Sequence, residues 1–308
     1  MKIRIGTRGS ALALWQADHI AARLREAHGE AVSVERVIYK TRGDHILDRP
    51  LADIGGKGLF TKELEVGLAD HSIDIAVHSL KDMPTALPDG LVLGAIPVRG
   101  DVRDCLLTRP GEPIEPKIIG TASLRRTCLA RRRWPEAQVE PIRGNVQTRL
   151  GRLHEDGARR VDLVVLAMAG VIRMRFPEER EDVSFLPLNP EQWIPAVGQG
   201  ALAIECRADD KAVRDALAVI HHADTAACTK AERAFLRGVE GDCRVPVGAY
   251  ATCDRGNLRL RAFVGDPDGH EMYVHTAVGT DAAALGAEVA EHVLDAGGRA
   301  VLERLRAR

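Results

Sequence analysis

The stretch KIRIGTRGSALALWQADHIAARLREA, residues 2–27, joins an apolar strand pattern to an amphipathic helix pattern. KIRIG predicts a β-strand, and ALALWQADHIAARLREA predicts a helix that Ser10 can cap at its N-terminus. A strand followed directly by a helix is the unit from which parallel α/β sheets are built. This stretch therefore predicts an α/β fold.

The same alternation continues on both sides of Gly100. Strand patterns occur in VSVERVIYK, IDIAVHS and LVLGAIPV before it, and in DCLLT, KIIGT, AQVEPI and VDLVVLAMAG after it. LFTKELEVGLAD, SLRRTCLARRRW and VQTRLGRLHEDG are helix patterns between them. We predict two mainly parallel α/β domains: residues 1–98 with 196–217, where ALAIEC returns to the first sheet as an extra strand, and residues 99–195.

The remaining residues, 218–308, have a different pattern. TAACTKAERAFLRGVE predicts a helix, and VGAYATC, NLRLRAFVG and EMYVHTAVG predict the strands of an antiparallel meander. A final helix is interrupted at Gly297 and Gly298. We predict a small α+β domain here.

Composition excludes several classes of protein. The chain has 308 residues, a net charge of −1 and 4% aromatic residues, which argues against nucleic-acid binding. No apolar run reaches the length of a membrane span, and the start has no uninterrupted apolar signal region, so we expect a cytoplasmic protein without a membrane partner. The six scattered cysteines include no CxxC pair, so no metal site is expected, and this location disfavours disulfides.

Four segments that follow predicted strands carry polar residues: GTRGS (6–10), HSLKDMP (78–84), GTASLRR (120–126) and IRGNVQTR (142–149). Ligands of open α/β sheets bind at such strand ends and helix starts. Each segment alone could be an ordinary turn. Together they place five arginines where they would face one cleft between the two α/β units, which indicates a ligand with many carboxylates. Those arginines are Arg8, Arg125, Arg126, Arg143 and Arg149, and Asp82 would be the acid among them.

One cysteine stands apart from the others. In EGDCRVPVG (240–248), Cys243 occupies a glycine turn before a Val-Pro-Val run. With a disulfide and a metal site disfavoured, it could be a nucleophile, a covalent anchor or a small buried side chain. The other five cysteines are expected to be small core residues.

Seven segments together resemble the porphobilinogen deaminase (hydroxymethylbilane synthase) family. They occur in the family's order and span residues 4 to about 252, whereas the chain after residue 254 matches only in its pattern of strands and helices. The segments are TRGSALALWQ, GGKGLFTKELE, DIAVHSLKDMPT, GTASLRR, RGNVQTRL, PAVGQGALAIE and GDCRVPVGAY.

The resemblance implies a fold, a cofactor and an activity. The fold is two type II periplasmic-binding-protein-like α/β domains plus a small C-terminal α+β domain. The cofactor is a dipyrromethane held by a thioether to Cys243. The activity is that of a cytoplasmic, monomeric transferase of porphyrin and haem biosynthesis. It joins four porphobilinogen molecules to this primer with loss of ammonia, and water then releases hydroxymethylbilane.

The resemblance also implies roles for individual residues. Asp82 is the catalytic carboxylate. The residues that bind the cofactor are Cys243, Lys81, Asp82, Ser123, Arg125, Arg126, Arg143 and Gly144. The residues that bind the substrate are Arg8, Ser10, Phe60, Arg143, Arg149, Arg173 and Gln199. The anchor segment departs from the family's pattern at Asp242, where a glycine is common, and Arg244 follows the cysteine; we expect these residues to change loop mobility and not attachment.

Two other classes of function are consistent with parts of the pattern. The first is a two-lobed solute-binding or effector domain that holds an anion without chemistry; the start lacks a signal region and shows no helix-turn-helix, which disfavours it. The second is an RNA-binding protein that uses SLRRTCLARRRW, which the near-neutral charge disfavours. Only a deaminase would carry pyrroles, which colour with an acidic aldehyde reagent.

Overall fold

The structure is a computed structural model that describes residues 1–41, 43, 59–112, 114–241 and 245–307. The described residues form two compact units. The first contains residues 1–41, 43, 59–100 and 200–226, and the second contains residues 101–112, 114–199, 227–241 and 245–307. No helix in these ranges is long and apolar enough to cross a membrane.

Strands and helices are numbered here along the described chain. The strands are β1 (Lys2–Arg8), β2 (Ser33–Tyr39), β3 (Ile75–Ser79), β4 (Leu91–Ala95), β5 (Asp104–Thr108), β6 (Ile118–Gly120), β7 (Gln138–Glu140), β8 (Leu163–Ala167), β9 (Ser184–Pro187), β10 (Leu202–Arg207), β11 (Val247–Asp254), β12 (Asn257–Gly265) and β13 (Met272–Gly279). The helices are α1 (Ala11–His28), α2 (Lys62–Ala69), α3 (Leu124–Arg133), α4 (Val146–Gly151), α5 (Met168–Arg173), α6 (Phe176–Glu179), α7 (Lys211–Ala218), α8 (Ala223–Gly238), α9 (Ala282–Val293) and α10 (Arg299–Arg306).

The first unit contains a five-stranded sheet in the order β2-β1-β3-β10-β4. β1 is parallel to β2 and β3, whereas β10 is antiparallel to both of its neighbours. The central strands are apolar on both faces because helices α1 and α7 pack on one face of the sheet and helix α2 packs on the other. The carboxyl ends of β1 and β3 therefore lie at one edge of the sheet, and each is followed by a polar segment.

A second five-stranded sheet, in the second unit, has the order β7-β6-β8-β5-β9. β6 is parallel to β7 and β8, and β5 is antiparallel to β8 and β9. The two sheets thus have the same plan, with one antiparallel strand inserted before the last strand.

The third sheet is the antiparallel meander β11-β12-β13. Its core contains Phe235 of α8, Val289 of α9, and Leu260 and Val264 of β12, all fully buried. Between α9 and α10 the helical path breaks at Gly297, whose φ of 132° lies in a region that favours glycine. The predicted α+β part and its helix break are confirmed, and with them the predicted fold class.

Three features differ from the sequence prediction. Each five-stranded sheet is mainly parallel, as predicted, but β5 and β10 run against both of their neighbours, which was not predicted. β9 was not predicted. In VDLVVLAMAG the strand ends at Ala167, and α5 begins at Met168. The division into three domains at residues 98, 195 and 217 stays a prediction.

Candidate functional site

A short helical turn, Leu80–Asp82, follows β3 and presents Lys81 and Asp82. Leu80 and Met83 are buried on either side of this pair, in a cluster with Ala201. The backbone N–H of Leu80 also donates to the oxygen of Ala201 at 3.0 Å. Asp82 is exposed and Lys81 half-buried, because two buried apolar anchors hold a polar dipeptide at the sheet edge.

The end of β1 carries Arg8, and Ser10 caps helix α1. The Arg8 guanidinium carbon lies 4.2 Å from the centre of the Phe60 ring, which is a cation–π contact. Ser10 Oγ accepts from the N–H of Ala13 at 3.3 Å, so its hydroxyl hydrogen can still be donated. Arg8, Ser10 and Phe60, all predicted to bind substrate, thus lie within the first unit, and Arg8 contacts Phe60 directly.

Arg125 and Arg126 open helix α3, and both are buried on one carboxylate. They are 4% and 6% exposed, and each donates to Asp104, which is fully buried, at 2.7 and 2.8 Å. Each also donates to a backbone oxygen at 2.8 Å, Arg125 to that of Ile194 and Arg126 to that of Val165. Two guanidinium groups on one carboxylate leave one positive charge uncompensated within this group.

Asp104 accepts two further hydrogen bonds, from Trp193 Nε1 and Gln199 Nε2, each at 2.8 Å. Burial would raise the pKa of this carboxyl, but the positive charges of Arg125 and Arg126 and the hydrogen bonds hold it well below the usual range. Asp104 therefore stays ionised and fixes both arginines. Gln199, predicted to bind substrate, has its side chain fully buried on this acid.

Ser123 caps helix α3, its Oγ accepting from the N–H of Arg126 at 3.5 Å.

Helix α8 holds the segment that carries Gln199. Glu232, fully buried, accepts from the N–H groups of Gly198 at 2.7 Å and Ala251 at 2.9 Å. The Glu232 carboxylate thus fixes the backbone next to Gln199, whose side chain donates to Asp104.

The loop before helix α4 carries Arg143 and Gly144. Asn145 caps the helix by accepting from the N–H of Thr148 at 2.8 Å. Arg149 Nε donates to the backbone oxygen of Gly144 at 2.9 Å. Gly144 has a φ of +102°, and a Cβ there would meet the Thr148 side chain at 2.7 Å, so the loop requires glycine.

Arg173, at the end of helix α5, is partly buried, and burial lowers its pKa to about 10. Cys243, together with Asp242 and Arg244, lies outside the described residues.

Three buried residues of the site were not predicted from the sequence: Asp104, Trp193 and Glu232. The signal for Asp104 is an acid at the first position of the apolar run DCLLT, where a charge has to be paired if it is buried.

Several guanidinium nitrogens in the described part of the chain have no acceptor. Within the described residues, Arg125 Nε, Arg126 Nε and Arg143 Nη1 are buried and have no hydrogen-bond partner. Buried N–H groups are costly to leave unpaired, and carboxylates are the acceptors that guanidinium groups bind best. Arg125 and Arg126 together carry one more positive charge than Asp104 compensates. This charge and the unpaired nitrogens suit an anionic ligand with several carboxylates.

Comparison with protein-family models finds two matches on this chain. Residues 3–215 match "Porphobilinogen deaminase, dipyromethane cofactor binding domain", and residues 226–295 match "Porphobilinogen deaminase, C-terminal domain". The boundary between the matches falls at the start of helix α8.

Two curated proteins are similar over nearly the whole chain. Porphobilinogen deaminase of Brevibacillus brevis is 46% identical, covering 98% of this chain and 96% of that protein. Porphobilinogen deaminase of Syntrophobacter fumaroxidans is 44% identical, covering 98% and 97%. Among solved structures, the BenM effector binding domain with its effector benzoate aligns at a TM-score of 0.43 and 16% identity, over 70% of this chain and 88% of that one.

Proposed function

The chain belongs to the porphobilinogen deaminase family, and on that premise we propose the role of each residue in its site. The family's activity is that of a hydroxymethylbilane synthase, a transferase of tetrapyrrole biosynthesis. Four porphobilinogen molecules are joined head to tail with loss of ammonia on a dipyrromethane primer, and water then releases the linear product. The residue roles below are our proposal.

The residues present fit the cofactor. A dipyrromethane carries acetate and propionate groups, and the buried nitrogens without partners on Arg125, Arg126 and Arg143 are donors for such acceptors. When bound, the group supplies the pyrrole carbon onto which substrate is added. We propose that Cys243 anchors it, and that Lys81, Ser123, Arg125, Arg126, Arg143 and Gly144 bind it.

Arginines also bind the carboxylates of the substrate and of the growing chain. We assign Arg8, Arg143, Arg149 and Arg173 to this task, with Ser10 as a neutral partner. Gln199, whose buried amide donates to Asp104, would serve substrate binding by holding that acid. Phe60, on which the Arg8 guanidinium lies, orients that guanidinium and contacts the substrate pyrrole. The lowered pKa of Arg173 stays well above neutral pH, so this residue is charged when it binds.

Asp82 is the proposed catalytic carboxylate. Its exposed position on a turn with buried anchors lets it approach a pyrrole N–H without moving the sheet. It stabilises positive charge that develops on the ring when ammonia leaves, and it accepts the proton that coupling releases. Lys81 beside it binds cofactor carboxylates.

The match of residues 3–215 to the cofactor-binding domain is the observation that carries this proposal, and intact mass is its test. The purified protein should exceed its sequence mass by two linked pyrrole units. Cys243→Ser should remove the excess, whereas Cys253→Ser, a change at a half-buried thiol, should keep it. A wild-type protein that is unmodified and fully active would overturn the proposal.

We further propose that the protein acts in the cytoplasm as a monomer. Cys105, Cys128 and Cys206 are buried free thiols, which supports a reducing compartment. Light scattering of the cofactor-loaded protein tests the second point, since a mass of about 67 kDa, twice the 33.5 kDa chain, would exclude a monomer.

A further inference from the structure

His275 lies on the face of β13 that packs towards helix α9. Side chains alternate between the two faces of a strand, and Tyr273 and Ala277 both contact the core of the third sheet. His275 shares their face. Its ring stacks on that of His292 of α9, with centroids 4.3 Å apart and planes at 8°.

Helix α9 contributes two residues one turn apart. Glu288 and His292 are separated by four positions, so they lie on the same side of the helix. Val289 and Val293, the next positions along, are buried in the core. Glu288 and His292 are exposed at the flank of the packed face, beside His275.

The tautomer of His292 is fixed by its own helix. Its Nδ1 lies 2.9 Å from the backbone oxygen of Glu288. A carbonyl oxygen only accepts, so Nδ1 carries the proton and Nε2 keeps its lone pair. Histidines that bind metals almost always donate their second nitrogen in this way, to a carbonyl or a carboxylate.

We propose that His275, Glu288 and His292 bind one zinc-type divalent metal ion. One ligand atom from each residue lies within 4.8 Å of the others. Two imidazoles and one carboxylate form a ligand set that zinc takes, with water in the fourth position. Zinc–nitrogen bonds of about 2.0–2.1 Å place tetrahedral ligands about 3.3 Å apart. The rings must therefore tilt out of their stack, a side-chain movement that this partly exposed setting permits.

The ion would join strand β13 to helix α9 within the C-terminal part of the chain. Metal that binds only the folded state stabilises it, and the stabilisation grows with the logarithm of the ratio of metal concentration to dissociation constant. The site shares no residue with the proposed catalytic machinery. Its role is therefore structural, and it is independent of the proposed function.

Cobalt and zinc titrations of the cofactor-loaded enzyme test this site. After chelator treatment, one equivalent of Co²⁺ should give the visible absorption of a tetrahedral site, and Zn²⁺ should displace it and raise the melting temperature. His275→Gln, His292→Gln and Glu288→Gln should each weaken binding about tenfold or more. Glu291→Gln, a change at another exposed carboxylate on α9, should bind as wild type does.

Turnover of porphobilinogen should be the same in all four variants at ordinary temperature. The proposal is overturned if the wild type shows no one-to-one binding. It is also overturned if His275→Gln with His292→Gln binds as tightly as wild type, because the ion would then occupy other ligands such as a thiol.

Discussion

Asp104 is the carboxylate that joins the guanidinium groups of Arg125 and Arg126. It accepts from both guanidinium groups, from Trp193 and from Gln199, and it is completely buried. Removing one partner of a buried ion pair costs more than the pair contributes, because the remaining charges stay in a poor solvent.

We therefore expect Asp104→Asn to destabilise the protein by about 3–5 kcal/mol, since two buried guanidinium groups lose their counter-charge. The urea midpoint of cofactor-loaded protein measures this loss. Asp268→Asn removes a surface partner of Arg131 and should cost about 1 kcal/mol or less. Equal losses in the two variants would contradict the assigned role of Asp104.

The same acid predicts a pH dependence. Its folded-state pKa is lowered, so its contribution is fully present above the unfolded value of about 3.9 and is lost as the pH falls towards the folded value. The difference in urea midpoint between wild type and Asp104→Asn should stay constant from pH 7 to about 5. The difference should shrink below about pH 4. If it already shrinks at about pH 6, the pH dependence belongs to a group other than Asp104.

Asp82 is expected to affect turnover and not folding, because it is exposed. Asp82→Asn should load cofactor yet lose two orders of magnitude or more in turnover, since proton exchange alone accounts for about 10²–10⁴-fold. Asp82→Glu should retain measurable activity because the charge survives. Asp89→Asn, at another exposed aspartate, is the control. A loaded Asn variant within about tenfold of wild type would place the carboxylate elsewhere.

How far the sequence predicts such residues depends on burial. Arg8 and Asp82 could be placed at strand ends because the strand patterns before them are strong. The burial of Arg125 could not, because its partners Asp104 and Ile194 are 21 and 69 positions away in the chain. Pairing across such distances has no local periodicity.

At the scale of elements, helix α4 and the loop before it form one unit held by Gly144. We expect Gly144→Ala to distort the loop, because its φ is positive and the added methyl meets Thr148. Since Arg143 and Arg149 flank it, mass spectra after substrate addition should show fewer pyrrole units added.

Gly151→Ala is the matched control, at the end of the same helix. A Cβ there meets nothing within 4 Å and its φ is not positive, so elongation should be normal and stability unchanged or slightly higher. Normal elongation by Gly144→Ala would show that this backbone does not position the arginines.

The sequence predicted where helices begin at the positions that have a capping side chain. Ser10, Ser123 and Asn145 each cap a helix, and each stands in the segment that predicted a helix start. The direction of β5 and β10 could not be predicted, because an apolar run has the same pattern in either direction. The short strand β9 has too few residues for a periodic signal.

At the scale of the whole molecule, the arginines divide into two tasks. We expect Arg125→Leu and Arg126→Leu to yield mostly apo-protein, because we assign these residues to the primer. Arg8→Leu and Arg149→Leu should keep the primer and stall chain growth, which mass spectra before and after substrate distinguish.

Arg131→Leu, at a partly exposed arginine of the same helix α3, is the control and should elongate normally. Arg125 and Arg126 also compensate Asp104, so urea midpoints have to accompany their mass spectra. If all four variants loaded and elongated normally, the polyanion role of these arginines would be wrong.

The position of β10 has a consequence for biosynthesis. This strand lies between β3 and β4 in the first sheet, yet it is made only after every strand of the second sheet. As the chain leaves the ribosome, β4 has no sheet partner for more than 100 residues of translation. The second sheet, whose strands are contiguous in sequence, can assemble before β10 is made, whereas β4 and one side of β3 stay unpaired until then. We therefore expect chaperones that recognise exposed apolar strands to bind the nascent chain at β3 and β4 of the first sheet.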